Sequence, residues 1–488
     1  MMQASTATSG AEFKAAKKDI KVFPIVLAFL MSGFIGLFGE TALNVALTDL
    51  MQIFNIGSAT IQWLTTGYLL TMGILVPLSG LLIQRFTTRQ LFITSLLFSC
   101  LGALIGAVAS SFGVLMVSRI IQAVGTSLLL PLMFNTILLI FPVEKRGAAM
   151  GLVGLVIMFA PAVGPTIAGL LIEALNWHYI FWLSFVFLVI ALIIGIFTMQ
   201  NVSETTKPRI DLLSMLLSTL GFGGIVYGFS SAGEGDGGWT SSTVVISLAI
   251  GLVALILFTI RQLKISNPLL DLRAFRYPMF AIGALMVALC MMVILSSMLV
   301  LPMYLQVGLA FSTLSAGLIL LPASALNGLL APIMGRLFDK HGPKWIVLPG
   351  IVLIAVALWL FSGITLASSV AFIITVHVIM MIGVSMIMMP AQTNGLNQLP
   401  PQLYPHGTAI INTMQQVFGA IGTAVAVSVM SNGQAKYMSH ATNPNDPSLI
   451  PLSLTAGVQD AFIFGMIISL VGFVLSLFIK RVVVNRLH

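Results

Sequence analysis

The most informative property of this sequence is how little charge it carries. Only 7% of its 488 residues are Asp, Glu, Lys or Arg, and 58% are hydrophobic, whereas an ordinary soluble domain has roughly 25% charged residues. This deficit excludes a soluble globular protein. The chain also has only two cysteines, Cys100 and Cys290. Each lies inside an apolar run, which excludes a disulfide framework and a metal site built on paired cysteines.

Motifs for nucleotide binding and for intramembrane catalysis are missing as well. No G-x-x-x-x-G-K-[ST] loop is present, and this excludes an ATP-driven pump of the P-loop type. The chain has no H-E-x-x-H pair and no convincing Ser/His/Asp set. We therefore expect no enzyme, no metal and no cofactor, and we expect any uphill transport to be driven by an ion gradient.

Long hydrophobic runs are what the sequence has instead. At about 20 apolar residues per span, they predict an all-α polytopic membrane protein, because they are too continuous for the alternating strands of roughly 10 residues in a membrane barrel. Hydropathy predicts fourteen transmembrane helices, at 23–47, 60–83, 91–109, 113–140, 148–172, 178–199, 212–232, 240–261, 278–306, 313–338, 345–365, 368–397, 407–431 and 459–480.

The basic residues are concentrated in alternate loops. The excess of 22 Lys and Arg over 14 Asp and Glu would raise the question of nucleic acid in a soluble protein, but this placement follows the positive-inside rule. We therefore expect a multi-pass protein of a bacterial-type cell membrane, surrounded by lipid, with both termini cytoplasmic and no nucleic-acid partner. Lys436 is the exception, in a long predicted outer loop over 431–458.

A repeated cytoplasmic turn indicates two related halves. Gly80-Leu-Leu-Ile-Gln-Arg-Phe-Thr-Thr-Arg follows span two, and Gly335-Arg-Leu-Phe-Asp-Lys-His-Gly-Pro-Lys follows span ten. The turns are eight spans apart rather than six, so two helices are inserted between two six-helix units. The predicted organisation is an N-terminal segment 1–22, a bundle 23–199, a linker with two extra helices 200–277, a second bundle 278–480 and a tail 481–488.

Several segments resemble signature motifs of the major facilitator superfamily. Span four contains Arg119-Ile-Ile-Gln-Ala-Val-Gly, similar to R-x-x-Q-G-x-G, and span five contains Gly164-Pro165 in a segment similar to the antiporter motif G-x-x-x-G-P-x-x-G-G. The turn after span two departs from the superfamily pattern, because Gln84 stands where the family has Asp. The turn after span ten matches G-x-L-x-D-x-x-G-x-K at Gly335, Leu337, Asp339, Gly342 and Lys344.

The end of span one narrows the resemblance. Glu40-Thr-Ala-Leu-Asn44-Val-Ala-Leu is similar to the D-x-T-x-x-N-V-A-L-P element of fourteen-helix drug:proton antiporters, and the whole chain resembles multidrug exporters of the lincomycin-resistance type. This resemblance implies two six-helix bundles with two inserted helices, working as a monomer. It also implies proton-coupled multidrug efflux by alternating access, with protons and small lipophilic substrates as partners.

Lipophilic neutral or monocationic compounds are the predicted substrates. A single carboxyl in the predicted cavity, with an arginine nearby, is poorly suited to dications. The alternative within transport is a proton-coupled exporter of a specific lipid or metabolite. A membrane-embedded enzyme or sensor is the rival from another class, and the internal repeat disfavours it because the repeat indicates transport geometry.

Glu40 is the first candidate for proton coupling. A charge at mid-depth in a bilayer costs about 2.5 to 3.5 kcal/mol on insertion scales, so an intramembrane carboxyl needs a partner, a water path or a proton. Asn44 lies at i+4, on the same helix face. Aligned on Asn44, the family's Asp falls at Gly39, so Glu40 is displaced by ~100° around the helix. A neutral, hydrogen-bonded structural glutamate is the alternative.

Arg119 and His377 complete the predicted proton-coupling set. Arginine remains charged in proteins, so Arg119 cannot carry the proton; by resemblance it assists coupling, and a structural, carbonyl-bonded arginine is the alternative. Histidine titrates near neutral pH, which makes His377 a candidate. No family motif marks His377, however, and a packing role is the alternative.

Polar and aromatic residues near mid-span form the predicted substrate pocket, because transporters of this kind bind substrate near the bilayer midplane between their halves. The Met-rich segment 380–389 offers deformable surface or simply faces lipid or core. The predicted substrate-binding residues are Glu40, Asn44, Asn135, Tyr304, Gln306, Asn327, Gln392, Asn394, Asn412, Gln415 and Gln416.

A gating set is predicted at the repeated turns and in span five. Asp339 is expected to hold neighbouring helix ends and basic side chains, whereas Gln84 cannot make the same charged bond. Gating should therefore depend more on the second half. The predicted gating residues are Gly80, Arg85, Gly335, Arg336, Asp339, Lys340, Gly164 and Pro165.

Overall fold

A computed structural model describes residues 22–56, 58–203, 205–206, 211–234, 238–266, 268–441 and 446–482. Within these ranges the chain consists of helices joined by short connections, without a β-strand. Helices satisfy their own backbone N–H and C=O groups, which a chain surrounded by lipid requires. The all-α prediction is confirmed.

The N-terminal half contains six spans. The second is broken around Pro77, where its two pieces meet at 53°, because proline lacks the N–H that would continue the helix. The helices are α1 (Val22–Phe54), α2a (Ser58–Leu75), α2b (Ser79–Arg85), α3 (Thr88–Ala107), α4 (Phe112–Ile140), α5 (Val143–Ala174) and α6 (His178–Thr198).

The C-terminal half also contains six spans, and two further helices precede it. The inserted helices are α7 (Leu212–Glu234) and α8 (Ser242–Lys264). The C-terminal helices are α9 (Pro278–Met303), α10 (Thr313–His341), α11 (Lys344–Phe361), α12 (Val370–Gln398), α13 (Tyr404–Ser439) and α14 (Ile450–Leu477).

The number of membrane-crossing segments agrees with the sequence prediction. In the described ranges, twelve helices are long and apolar enough to cross a membrane, and two bent pairs raise the number to as many as fourteen. The predicted N-terminal segment 1–22 lies outside the described residues except for Val22, and the predicted tail 481–488 is described only at 481–482.

The predicted long loop at 431–458 is wrong in most of its length. The helix α13 continues to Ser439, and α14 begins at Ile450. Hydropathy detects only the most apolar part of a helix, whereas α13 continues through the polar segment 431–439 and α14 begins nine residues before the predicted span. Within the described residues, the connection between α13 and α14 is therefore much shorter than predicted.

The two halves meet most extensively along α5 and α10. Small residues allow the backbones to approach: a Cβ added at Gly335 would overlap the carbonyl oxygen of Gly147, and one at Gly151 would lie 2.6 Å from the carbonyl oxygen of Ala331. Close approach through glycine is a common way to pack helices in membranes. Further contacts between the halves join α13 to α2a, α2b and α4.

The inserted helices form a hairpin. Glycine-lined contacts pack α8 against α7, and Arg261 on α8 forms an ion pair with Asp211, N to O 2.8 Å, just before α7. Hydrogen bonds from Arg261 lower the pKa of the Asp211 carboxyl to about 2, so this pair stays ionised at physiological pH. On its other side α7 contacts α2a and α13, one helix from each half.

Candidate functional site

A cavity of about 590 Å³ lies between the halves, within the 300–1,000 Å³ range of small-molecule sites. Its walls come from α1, α2a, α7, α9 and α13. Apolar groups such as Leu295, Met298 and Phe229 line much of it. The polar side chains among its described lining residues are Glu40, Thr41, Thr65, Gln416 and Thr423, and of these only Glu40 is acidic.

Arg119 is buried behind the cavity wall, with 1% of its surface exposed. Its Nη1 donates to the carbonyl oxygen of Gly39 at 2.8 Å and to Oε1 of Gln122 at 3.3 Å, and its Nε donates to the carbonyl oxygen of Leu64 at 3.3 Å. Its guanidinium carbon lies 4.2 Å from the centre of the Tyr68 ring. One side chain therefore ties α1, α2a and α4 together.

Glu40 and Arg119 interact electrostatically without forming an ion pair. Both groups are described, and their charges influence one another, but they do not make a nitrogen-to-oxygen contact within 4.0 Å. Arg119 instead binds the backbone of Gly39, next to Glu40, and its Nη2 is buried without a hydrogen bond. This arrangement leaves the carboxyl on the cavity side and the positive charge behind it.

The opposite sides of the cleft meet at one end of the bundle, called here the basic end because it carries Arg85, Lys145, Lys264, Arg276 and Lys344. There the carboxylate of Asp339 on α10 accepts hydrogen bonds from the backbone N–H groups of Gly147 and Ala148 on α5, each at 2.9 Å. Asp339 was expected to hold neighbouring basic side chains as well, but Arg336 and Lys340 are exposed and the described bonds of the Asp339 carboxylate go to backbone N–H groups. Instead, Arg481 donates to the carbonyl oxygens of Asp339 and Lys340.

A second connection at the basic end centres on Arg146 of α5. Its Nη1 donates to Oδ1 of Asn397 and to the hydroxyl of Tyr404, both at 3.0 Å, and its Nη2 donates to the carbonyl oxygen of Leu138. The side chain is 8% exposed. Because Asn397 is on α12 and Tyr404 on α13, this buried arginine connects the two halves.

The turn after α2 supplies a third, uncharged connection. Nε2 of Gln84 lies 2.8 Å from Nε2 of His406 on α13. A Cβ at Gly80 would lie 3.2 Å from the carbonyl oxygen of Pro405, so the backbones approach closely here. Arg85 also has an interaction partner. Together the three connections close the basic end below the cavity.

Comparison with known proteins identifies the fold and the family. A model of the Major Facilitator Superfamily matches residues 29–423. The chain belongs to the Major Facilitator Superfamily. This membership confirms the expectation of a transporter rather than an enzyme.

Relatives within the superfamily cover nearly the full chain. The lincomycin resistance protein LmrB of Bacillus subtilis is 64% identical over 96% of this chain and 98% of its own length. The protein of the same name in Listeria monocytogenes is 60% identical over 95% and 98%. A multidrug resistance protein B homolog of Mycobacterium tuberculosis is 30% identical over 85% of this chain and 77% of its own.

A solved superfamily structure shares the fold. The human organic anion transporter MFSD10 superposes with a TM-score of 0.63 over 94% of this chain and 100% of its own, at 12% identity. At this identity the likeness shows the fold alone.

Within this superfamily fold, only part of the predicted pocket lines the cavity. Glu40 and Gln416 do, and the side chain of Asn44 lies outside the described part of the structure. Gln306 has an interaction partner and is not among the lining residues. Four buried amides keep at least one polar atom without a partner, namely Asn135, Asn327, Gln392 and Gln415.

Three other predicted pocket residues make bonds that hold the structure together. Tyr304 donates its hydroxyl hydrogen to the carbonyl oxygen of Thr365 at 2.6 Å. Asn394 bonds the C-terminal segment through the backbone of Lys480 and Val482. Asn412 donates to a carbonyl oxygen of its own helix. These three side chains are absent from the described lining of the cavity that contains Glu40.

His377 is separate from the cavity. It is buried on α12, 5% exposed, and its Nδ1 has no hydrogen-bond partner. It is absent from the lining of the cavity that contains Glu40. Its placement agrees with the packing alternative.

The Gly164-Pro165 motif of α5 lies against α1, the helix that carries Glu40. The pieces Val143–Pro161 and Thr166–Ala174 meet at 42°. A Cβ at Gly164 would lie 2.5 Å from Oγ1 of Thr41, so glycine permits α5 to approach α1 beside the cavity. The side chain of Pro165 is outside the described part.

Sequence reasoning missed two parts of this site. Arg146 is not among the residues predicted from the sequence, although its position at the start of a helix that carries a family motif was a usable signal. Val226 and Phe229 of α7 line the cavity, but no motif in the sequence distinguishes these apolar residues from the others on an inserted helix.

Proposed function

We propose that this chain exports lipophilic neutral or monocationic compounds in exchange for protons, by alternating access. The observation that carries the proposal is a cavity of drug-sized volume in which, among the described lining residues, Glu40 is the single carboxyl and the rest are uncharged and largely apolar. One carboxylate offers one negative charge for a cation, or one binding position for a proton. Membership of the superfamily and the names of the lincomycin and multidrug resistance relatives support the class of substrate.

Competition at Glu40 gives a simple coupling mechanism. In the deprotonated form the carboxylate attracts a cationic substrate, and the apolar walls bind its hydrophobic body. Protonation removes the charge and favours release. Arg119 does not exchange a proton in this scheme; it binds the backbone beside Glu40.

The closed basic end corresponds to one of the two states of an alternating-access cycle. The basic end is closed by the bonds of Asp339, Arg146 and Gln84. We propose that this end faces the cytoplasm, as the positive-inside rule indicates. The structure then corresponds to a state closed to the cytoplasm, and loading of substrate requires these bonds to break.

Transport by purified protein tests this proposal. Proteoliposomes with inside-out protein and an imposed proton gradient should accumulate a fluorescent lipophilic monocation, and Glu40→Gln should abolish the gradient dependence because it cannot release a proton. Glu173→Gln is the matched control, since Glu173 lies at the exposed outer end of α5. Unchanged proton-driven uptake in Glu40→Gln would refute coupling at this carboxyl, and lipid or metabolite export without uptake of the probe would favour the alternative substrate class.

A further inference from the structure

The inserted hairpin lies over the cleft between the halves. Its inner helix, α7, contacts α2a of the N-terminal half and α13 of the C-terminal half. Glycine makes the contact with α2a close: a Cβ at Gly73 would lie 3.1 Å from Cγ2 of Val226, and one at Gly223 would lie 3.1 Å from Cγ1 of Ile74. The hairpin is therefore packed into the cleft rather than attached loosely beside it.

Aromatic side chains bridge α7 to both halves. The ring of Tyr227 on α7 lies 5.8 Å, centre to centre, from that of Trp63 on α2a. Trp239, in the turn Gly238–Thr240, donates through Nε1 to Oγ of Ser428 on α13. Phe229 packs edge-on against Trp239 with ring centres 5.5 Å apart. These contacts fix the position of Phe229 relative to both walls of the cleft.

The same helix supplies part of the cavity wall. Val226 and Phe229 line the cavity that contains Glu40 and Gln416. On the far side of α7 lies α8, whose outer residues, such as Leu252 and Val253, are each 57% exposed. In this arrangement α7 separates the cavity from the surrounding lipid.

We propose that α7 is a specificity-determining wall: Val226 and Phe229 contact the transported compound, and the hairpin closes the side of the cavity toward lipid. This inference rests on the proposed export function. Phe229 places an aromatic ring in the wall of the cavity that contains Glu40, and aromatic rings attract cations through their π-faces. The inserted helices thereby select substrates by shape and aromatic character, while Glu40 responds to charge.

A pair of phenylalanines on α7 provides the first test. Phe229→Ala removes a ring from the cavity, whereas Phe222→Ala removes one that packs edge-on against Phe258 of α8, with ring centres 6.0 Å apart. We would measure transport of a series of neutral and monocationic dyes of increasing size. Phe229→Ala should reduce transport of planar aromatic cations about fivefold and should increase transport of bulkier compounds relative to smaller ones. Phe222→Ala should keep the wild-type order of preference.

The result separates this inference from the proposed function. If wild type transports no dye under a proton gradient, the export function fails. If wild type transports the dyes and both variants keep the wild-type order of preference, the role of α7 is refuted and export stands. A changed order in Phe222→Ala but not in Phe229→Ala would also refute it.

Thiol labelling gives a second test that does not require transport. Cys100 and Cys290 are buried, so they give a low background for Phe229→Cys, at a partly exposed position of the cavity wall. A water-soluble maleimide should label Phe229→Cys, and a lipophilic monocation should protect it, while the control Ile225→Cys, at a buried position of the same helix, should stay unlabelled. Failure to label Phe229→Cys, or labelling that the monocation does not slow, would contradict the presence of α7 in the substrate-binding wall.

Discussion

Arg119 keeps a positive charge at a site where its side chain is almost completely removed from solvent. Its guanidinium is stabilised mainly by hydrogen bonds to carbonyl oxygens and by a cation–π contact with a tyrosine ring, rather than by a carboxylate. Its Nη2 has no hydrogen bond, and a buried donor without a partner is costly. A charged group held this way is sensitive to small movements of α1, α2a and α4, and this makes it suited to sense the state of Glu40.

Replacement by lysine tests whether this geometry matters or only the charge. Lysine cannot reproduce the planar fork and ring stacking of arginine, so Arg119→Lys loses hydrogen bonds worth about 1.5 to 3 kcal/mol each. We expect proton-driven dye transport to fall at least tenfold, measured as initial rates in proteoliposomes. The control is Arg276→Lys, at an exposed position, which should remain within twofold of wild type. Near-normal transport by Arg119→Lys would show that charge alone suffices.

At the scale of helices, the closure of the basic end depends on how α10 meets α5. Asp339 receives two backbone N–H groups, one on each carboxylate oxygen. An asparagine offers one carbonyl oxygen and would turn its NH₂ group toward the other N–H donor. The Gln84 connection is a single uncharged contact with His406.

The two turns should therefore differ in their sensitivity to mutation. Asp339→Asn is expected to reduce the initial rate of transport about tenfold, because charge-assisted hydrogen bonds are roughly twice as strong as neutral ones. Gln84→Ala should reduce it no more than about threefold. Both variants are compared at equal amounts of folded protein by size-exclusion chromatography. An equal or larger defect in Gln84→Ala would reverse the assignment of the main gate.

Sequence reasoning succeeded where a local pattern determines structure. Hydropathy predicted the helices and their number, because the thickness of the bilayer sets the length of an apolar span. The spacing of the repeated turns predicted the inserted pair, because the two halves repeat the same order of helices. It failed where tertiary packing determines direction: Tyr304 and Asn394 are at the predicted helices but bond to neighbouring chain segments. The role of α7 in the cavity wall depends on contacts between distant helices, which no single stretch of sequence records.

For the whole molecule, alternating access requires the closed basic end to open. Several buried amides are relevant here, since Asn135, Gln392 and Gln415 have polar atoms without partners, and each such atom costs about 1 to 3 kcal/mol. Water entering an open basic end would satisfy those amides that it reaches. Part of the cost of breaking the Arg146 and Asp339 bonds would then be recovered, which helps to keep the two states close in free energy.

Arg146 provides the test of this balance. Arg146→Ala removes the bonds to Asn397 and Tyr404, so the open state should gain population. Ala409, whose Cβ lies opposite Gly80 in the closed interface, is a suitable reporter: in Ala409→Cys, a thiol reagent applied to the basic end should react at least five times faster when Arg146→Ala is added.

The neighbouring residue provides the control. Lys145 is exposed, so Lys145→Ala removes a charge from the same helix start without breaking the connection between the halves, and it should leave the rate of labelling unchanged. Equal acceleration by both variants would mean that loop charge, rather than the buried connection, controls the opening. No acceleration in Arg146→Ala would mean that α5 and α10 hold the basic end closed by themselves, with the Asp339 bonds as the remaining barrier.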